Sequence, residues 1–122
     1  STQGIVVSKD FLRAQRSAVK RFLRVYIEGI KLFKTDKEFS METLGRYIKT
    51  SDREILSKTY DVYREAWETV PLVRREGIQQ ALDSIPEAKN AKLNLDSLID
   101  NSLIQELEKE GFLKELYPEG AK

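Results

Sequence analysis

Cysteine and histidine are both absent from this 122-residue chain. The first absence excludes disulfides, thiolate metal sites and cysteine nucleophiles. The second removes the commonest general base and the commonest metal ligand, so no Ser-His-Asp triad can be assembled. Only six glycines are present and they are scattered, which excludes a glycine-rich phosphate loop. No apolar run approaches the roughly 18 residues of a membrane span. The first residues, STQGIVVSKDF, lack the basic start and longer apolar core of a signal peptide. Neither sign of charge is in excess. Lys plus Arg number 21 and Asp plus Glu 20, a formal net charge of +1, so no whole-protein field exists to hold a nucleic-acid backbone. Ser-Lys chemistry is the remaining nucleophile option, and Ser8-Lys9 and Ser57-Lys58 are neighbours in sequence only. No enzymatic activity, cofactor, metal site or nucleic-acid partner is expected.

What is present is a globular composition, 40% hydrophobic and 34% charged, at a length that fits one domain. Gly4 to Ser8 is a β-branched run between turn-formers and reads as a short strand without a sequence partner. From Ser8, a capping residue, the pattern becomes helical. Phe11, Leu12, Val19, Phe22, Leu23, Tyr26, Ile27, Ile30 and Phe33 recur at helical spacing, interrupted by RAQRS. A short helix, a break near Gln15 to Ser17 and a long helix to about Lys34 are therefore expected.

Thr35 with Glu38, and Ser51 with Glu54, form capping boxes for two further helices. Phe39, Leu44, Tyr47 and Ile48 should turn inward on the first. Ile55, Leu56, Thr59, Tyr60, Tyr63, Ala66 and Trp67 should share one side of the second. RREGIQQALDSIP predicts another helix, with Ile78, Leu82 and Ile85 inward and Pro86 stopping it. PEAKNAKLNLDS reads as a loop. Asp100 should cap a helix from Asn101 to about Glu110, which Gly111 ends in a left-handed conformation with Phe112 folding back on Leu107. The fold class expected is mainly α, five to seven helices with one short N-terminal strand, over residues 1–122 as a single domain or fragment.

Four features invite a functional reading. Arg13, Arg16, Lys20, Arg21 and Arg24 form a basic set, which helical periodicity assigns to a solvated face rather than a phosphate track. The acidic pairs Glu106 with Glu110 and Asp61 with Glu65 fall on polar faces, where pKa values are not pushed apart as acid–base work requires. Residues 41–67 resemble a helix-turn-helix in outline, but its second helix opens Asp52, Arg53, Glu54 and carries Asp61, Glu65 and Glu68, carboxylates that would face phosphate. Tyr60, Tyr63 and Trp67 lie at helical spacing; they read as core, or as an aromatic wall against a ligand or partner.

Taken together, GIVVSKDFLRAQRSAVKRFLRVYIEGIKLFKTD, VRREGIQQALDSI and LIDNSLIQELEKEGFLKELYP resemble the C-terminal part of ABC transporter substrate-binding proteins of the nitrate/sulfonate/taurine and thiamine-precursor group. The resembling steps are Val6-Val7-Ser8, Lys9 to Leu12, Val19 to Ile30, and Asp100 to Phe112. Where that family often places proline in the first break, this chain has Gln15-Arg16. The intact family is a longer, two-lobed periplasmic-binding-protein-like chain. The resemblance implies a solute-binding component that captures a sulfonate, nitrate or pyrimidine-type compound between lobes and delivers it to a permease, in the periplasm or another extracytoplasmic space. It puts Thr2, Gln3 and Gly4 nearest the inter-lobe crossing as ligand-contact candidates, beside Tyr60, Tyr63 and Trp67. The alternative reading is a stand-alone helical protein-interaction module. The lone strand wants a partner: without the rest of a lobe it either pairs with its copy in a homodimer, the favoured route, or detaches and frays.

Overall fold

The computed structural model describes residues 4–121, and the side chain of Asn90 is not among those described. Seven α-helices form: α1 (Lys9–Ala14), α2 (Arg16–Thr35), α3 (Lys37–Ile48), α4 (Arg53–Ala66), α5 (Arg75–Asp83), α6 (Ser102–Lys109) and α7 (Phe112–Leu116). Two short 3-10 helices, Pro86–Asn90 and Leu95–Leu98, fill the stretch read as loop. Pro86 opens the first of them rather than simply ending α5, because its fixed φ suits a first helical position.

The expected strand does not form: no strand occurs among the described residues, and Gly4 to Ser8 carries no regular structure. Val6 is 91% exposed. A β-strand is defined by the neighbour it pairs with, and β-branched composition without such a neighbour leaves only an unpaired segment.

Helix ends follow the best local acceptor. Ser8 accepts from the Phe11 N–H at 3.1 Å and starts α1. The break narrows to Gln15 alone, at φ −126°, ψ 35°. At the next two starts an aspartate one residue further on replaces the expected hydroxyl cap. Asp36 accepts from the Phe39 N–H at 3.0 Å, and Asp52 from the Glu54 and Ile55 N–H groups at 3.0 and 3.2 Å. A carboxylate is the stronger acceptor at a helix N-terminus. Thr35 remains inside α2, donating to the Lys31 carbonyl at 2.8 Å. The glutamates of the supposed boxes turn outward to Arg53 and Lys58.

The core is two clusters strung along α2. Toward its middle, Ile27 packs with Leu107 of α6 and Phe112 of α7, bordered by Leu23, Leu113 and Leu116. Toward its end, Phe33 packs against a cluster of Met41 from α3 with Leu56 and Tyr60 from α4, which Leu44 of α3 also borders. Three inward faces differ in part from expectation. On α3 the buried pair is Ser40 and Met41, while Phe39, Tyr47 and Ile48 are exposed. On α4, Leu56 and Tyr60 are buried, but Ile55, Tyr63 and Ala66 are exposed. Ile78 and Leu82 of α5 are partly buried, and Ile85, two residues past its end, is exposed. The small residue Gly45 sets the α3 face: a Cβ there would stand 2.8 Å from the Thr50 carbonyl oxygen, so the chain can fold back tightly into α4 only past a glycine.

Two left-handed residues make a paired stability prediction. Gly111 ends α6 at φ +84° as expected, its N–H donating to the Glu108 carbonyl at 3.0 Å. Lys49 ends α3 at φ +56° and is not a glycine. Gly111→Ala should lower, and Lys49→Gly raise, unfolding free energy by about 1 kcal/mol each. Denaturant midpoints moving in the same direction for both variants would contradict this.

Candidate functional site

Of the sequence-nominated ligand residues, Thr2 and Gln3 lie outside the described residues, and Gly4 is exposed. Tyr60, Tyr63 and Trp67 are brought together, but around a fourth ring that sequence spacing did not include. Phe33, from α2, has its ring centroid 4.9 Å from Tyr60 and 5.0 Å from Trp67, and Trp67 is 5.9 Å from Tyr63, all in tilted geometry. Such contacts each add about 0.5–1.5 kcal/mol beyond area burial. The Tyr60 hydroxyl donates to the Lys34 carbonyl at 3.2 Å, which satisfies one of the open carbonyls at the end of α2. Lys37 Nζ stands 5.2 Å from the Tyr60 centroid. Trp67 Nε1 is buried and meets no hydrogen-bond partner among the described residues. The ring set is a packed junction of α2 with α4, with Tyr63 at its solvent edge.

An open groove of about 780 Å³ lies elsewhere, between α3 and the start of α4. Phe39, Met41 and Leu56 supply its apolar wall and Glu38, Glu42, Arg46 and Arg53 its rim. The rim charges are mutually satisfied, Arg53 to Glu38 at 2.9 Å and Arg46 to Glu42 at 2.7 Å. No cluster of three or more acidic residues suited to a metal ion occurs among the described residues.

The most connected polar feature joins α2 to α6. Arg16 reaches Glu106 at 2.9 Å and the Ser102 hydroxyl at 3.0 Å. Lys20 bonds Glu106 at 3.3 Å and also pairs with Glu110. Of the rest of the basic set, Arg13 pairs with Asp10 and Arg24 stacks 4.7 Å over Phe112. In sequence the signal was the matched i, i+4 spacing of Arg16 with Lys20 and of Glu106 with Glu110. Beside this network, Asp100 accepts from the Ser102 N–H at 2.9 Å and its hydroxyl at 2.5 Å. Asn101 turns away to hold the Val73 backbone with both ends of its amide, each at 2.9 Å. The N-cap of α6 is Asn101 rather than the expected Asp100; Asp100, one residue earlier, accepts from the first N–H of the helix, and Asn101 ties the helix start to the connection between α4 and α5.

The network sets a pH window. Lys20 is raised above 10.5, chiefly by its bond to Glu110, against partial desolvation and with help from Glu106. For Glu106, desolvation pushes upward, but the bond from Lys20 and the charge and bond of Arg16 overcome it, leaving the carboxyl below 4.5. Asp100 is held low by the Ser102 hydroxyl first and the Ser102 N–H second. A lowered carboxylate contributes stability above its unfolded pKa and loses it as pH falls through the folded value; a raised lysine contributes below its unfolded pKa and loses it as pH rises. Stability should therefore hold between about pH 5 and 10 and fall on both sides. Glu106→Gln should flatten the acid limb in urea titrations, and an unchanged limb would remove the network as its cause.

No family model, no curated protein and no solved structure matches this chain. No helix among the described residues is long and apolar enough to cross a membrane.

Proposed function

We propose that this chain is the C-terminal segment of a substrate-binding protein of an ABC uptake system, non-catalytic, which helps capture a small solute such as a sulfonate, nitrate or pyrimidine-type compound for a permease. The observation that carries the reading is the run from Gly4 into α2. An exposed β-branched segment leads directly into a serine-capped short helix, a one-residue break and a 20-residue helix. That element order is the one the resemblance implies, with Ile5, Val6 and Val7 able to pair with a sheet supplied by another part of the protein.

The protein encoded by the whole reading frame should gain thermal stability from at least one of nitrate, alkyl sulfonates or aminopyrimidines, whereas residues 1–122 alone should not. No stabilisation of the whole protein by any of these classes would sink the solute-capture reading. A second reading, a stand-alone helical interaction module, is favoured by large apolar side chains standing out from α3 and α4, with Tyr47 83% and Val62 64% exposed. An upstream coding sequence without an α/β lobe would decide for it.

A further inference from the structure

Helix α2 carries two apolar stripes. One faces inward through Val19, Ile27 and Ile30. The other runs through Ala18, Phe22, Val25, Gly29 and Leu32, alternating steps of four and three, the seam spacing of paired helices. Phe22, Val25 and Leu32 on it are all exposed. Gly29 stands in mid-helix, where glycine is less favourable than alanine. A Cβ at Gly29 would meet nothing within 4 Å, so packing inside the chain does not require the glycine.

We propose that this stripe docks a second copy of the chain, α2 against α2, antiparallel about a two-fold axis at Val25. Side-chain size sets the register. With Val25 on the axis, Phe22 faces the partner's Gly29 and Ala18 faces the partner's Leu32, so each large group meets a small one. Charge agrees. The same register brings Arg21 beside the partner's Glu28, twice by symmetry. Within one chain Arg21 donates to a neutral group, the Ser17 hydroxyl, at 2.9 Å, and Glu28 meets Arg24 only at 3.8 Å. A parallel pair would set Phe22 against Phe22 and Arg21 against Arg21. One helix of about 30 Å covers less than the ~800 Å² per partner of a standard interface, so the dimer is reversible and forms at micromolar or higher concentration. The inference rests on neither functional reading.

Sedimentation equilibrium of the 122-residue chain from about 10 to 500 µM tests it. A reversible monomer–dimer equilibrium is expected. Val25→Glu, a change at an exposed position, should leave the helical circular dichroism intact and the chain monomeric throughout. Arg21→Glu should weaken association roughly tenfold, and adding Glu28→Arg should restore it. The chain contains no cysteine, so Val25→Cys carries a single thiol next to its own copy on the axis and should oxidise to a disulfide dimer faster than Tyr47→Cys. A monomer across the whole range, a dimer that survives Val25→Glu, or a charge swap that fails to restore association overturns the proposal. A dimer abolished by Val6→Pro but kept by Val25→Glu would place the contact at the N-terminal segment instead, which overturns it too.

Discussion

Ile27→Ala should cost about 4 kcal/mol, near the upper part of the range for emptying a buried aliphatic site. Ile27 is fully buried and sits where α2 meets Leu107 and Phe112. The loss has two parts, the transfer of three carbons' worth of apolar surface and the cavity that remains. Collapse into that cavity is limited because Leu107 and Phe112 are themselves held in the cluster that Leu23, Leu113 and Leu116 border. Ile27→Val should cost only about 1 kcal/mol. Val25→Ala, two residues earlier on the same helix but 65% exposed, should stay within about 0.5 kcal/mol. Chemical denaturation of the three variants at submicromolar concentration, below the range where the chain pairs, checks the series. Equal losses at Ile27 and Val25 would mean that the inward face of α2 has been misassigned.

Asn101→Ala should cost about 2–3 kcal/mol, more than its half-buried position suggests, because two backbone groups lose their partners at once. The Asn101 amide donates to the Val73 carbonyl and accepts from the Val73 N–H, doing for an irregular segment what a neighbouring strand would do. Without it, both groups of Val73 must find water or stay unpaired, and the connection into α5 loosens. Asn101→Asp keeps the shape and the acceptor but sets a carboxylate oxygen against the Val73 carbonyl, and should be as damaging as alanine at neutral pH. Its deficit relative to the parent should shrink once the carboxyl is protonated, below about pH 4. Hydrogen exchange gives the local signature: faster exchange at Val73 and through α5, with α2 little changed. Unaltered protection at Val73 in Asn101→Ala would show that the clamp is not what orders this segment.

How much of the molecule was legible in the chain differs from helix to helix. The Ser8 start, the long α2 and the Gly111 stop were readable because each depends on groups within four residues. The two later caps were displaced by one residue because Asp36 and Asp52 outcompeted the hydroxyls beside them. The aromatic spacing of Tyr60, Tyr63 and Trp67 was visible, but not that Phe33, some thirty residues earlier, would fill the space between them. The groove and the Asn101 clamp were not foreseen, since each joins segments that periodicity treats separately.

The sequence by itself determined that the described chain is helical, where most helices begin and end, and that histidine and cysteine chemistry is closed to it, because composition, capping and breaking act over a few bonds. Tertiary structure decided which face of each helix is buried. On α3, five large apolar residues competed for the inside, and the close approach at Gly45 with the Met41–Leu56 contact buried Ser40 and Met41 rather than Phe39 and Tyr47. On α2, two apolar stripes were present in the sequence, and only the docking of α6 and α7 on Ile27 made one of them core and left the other, through Val25, facing outward. A helical period tells which residues share a face; which face is buried depends on partners distant in the chain, and that choice is made by packing.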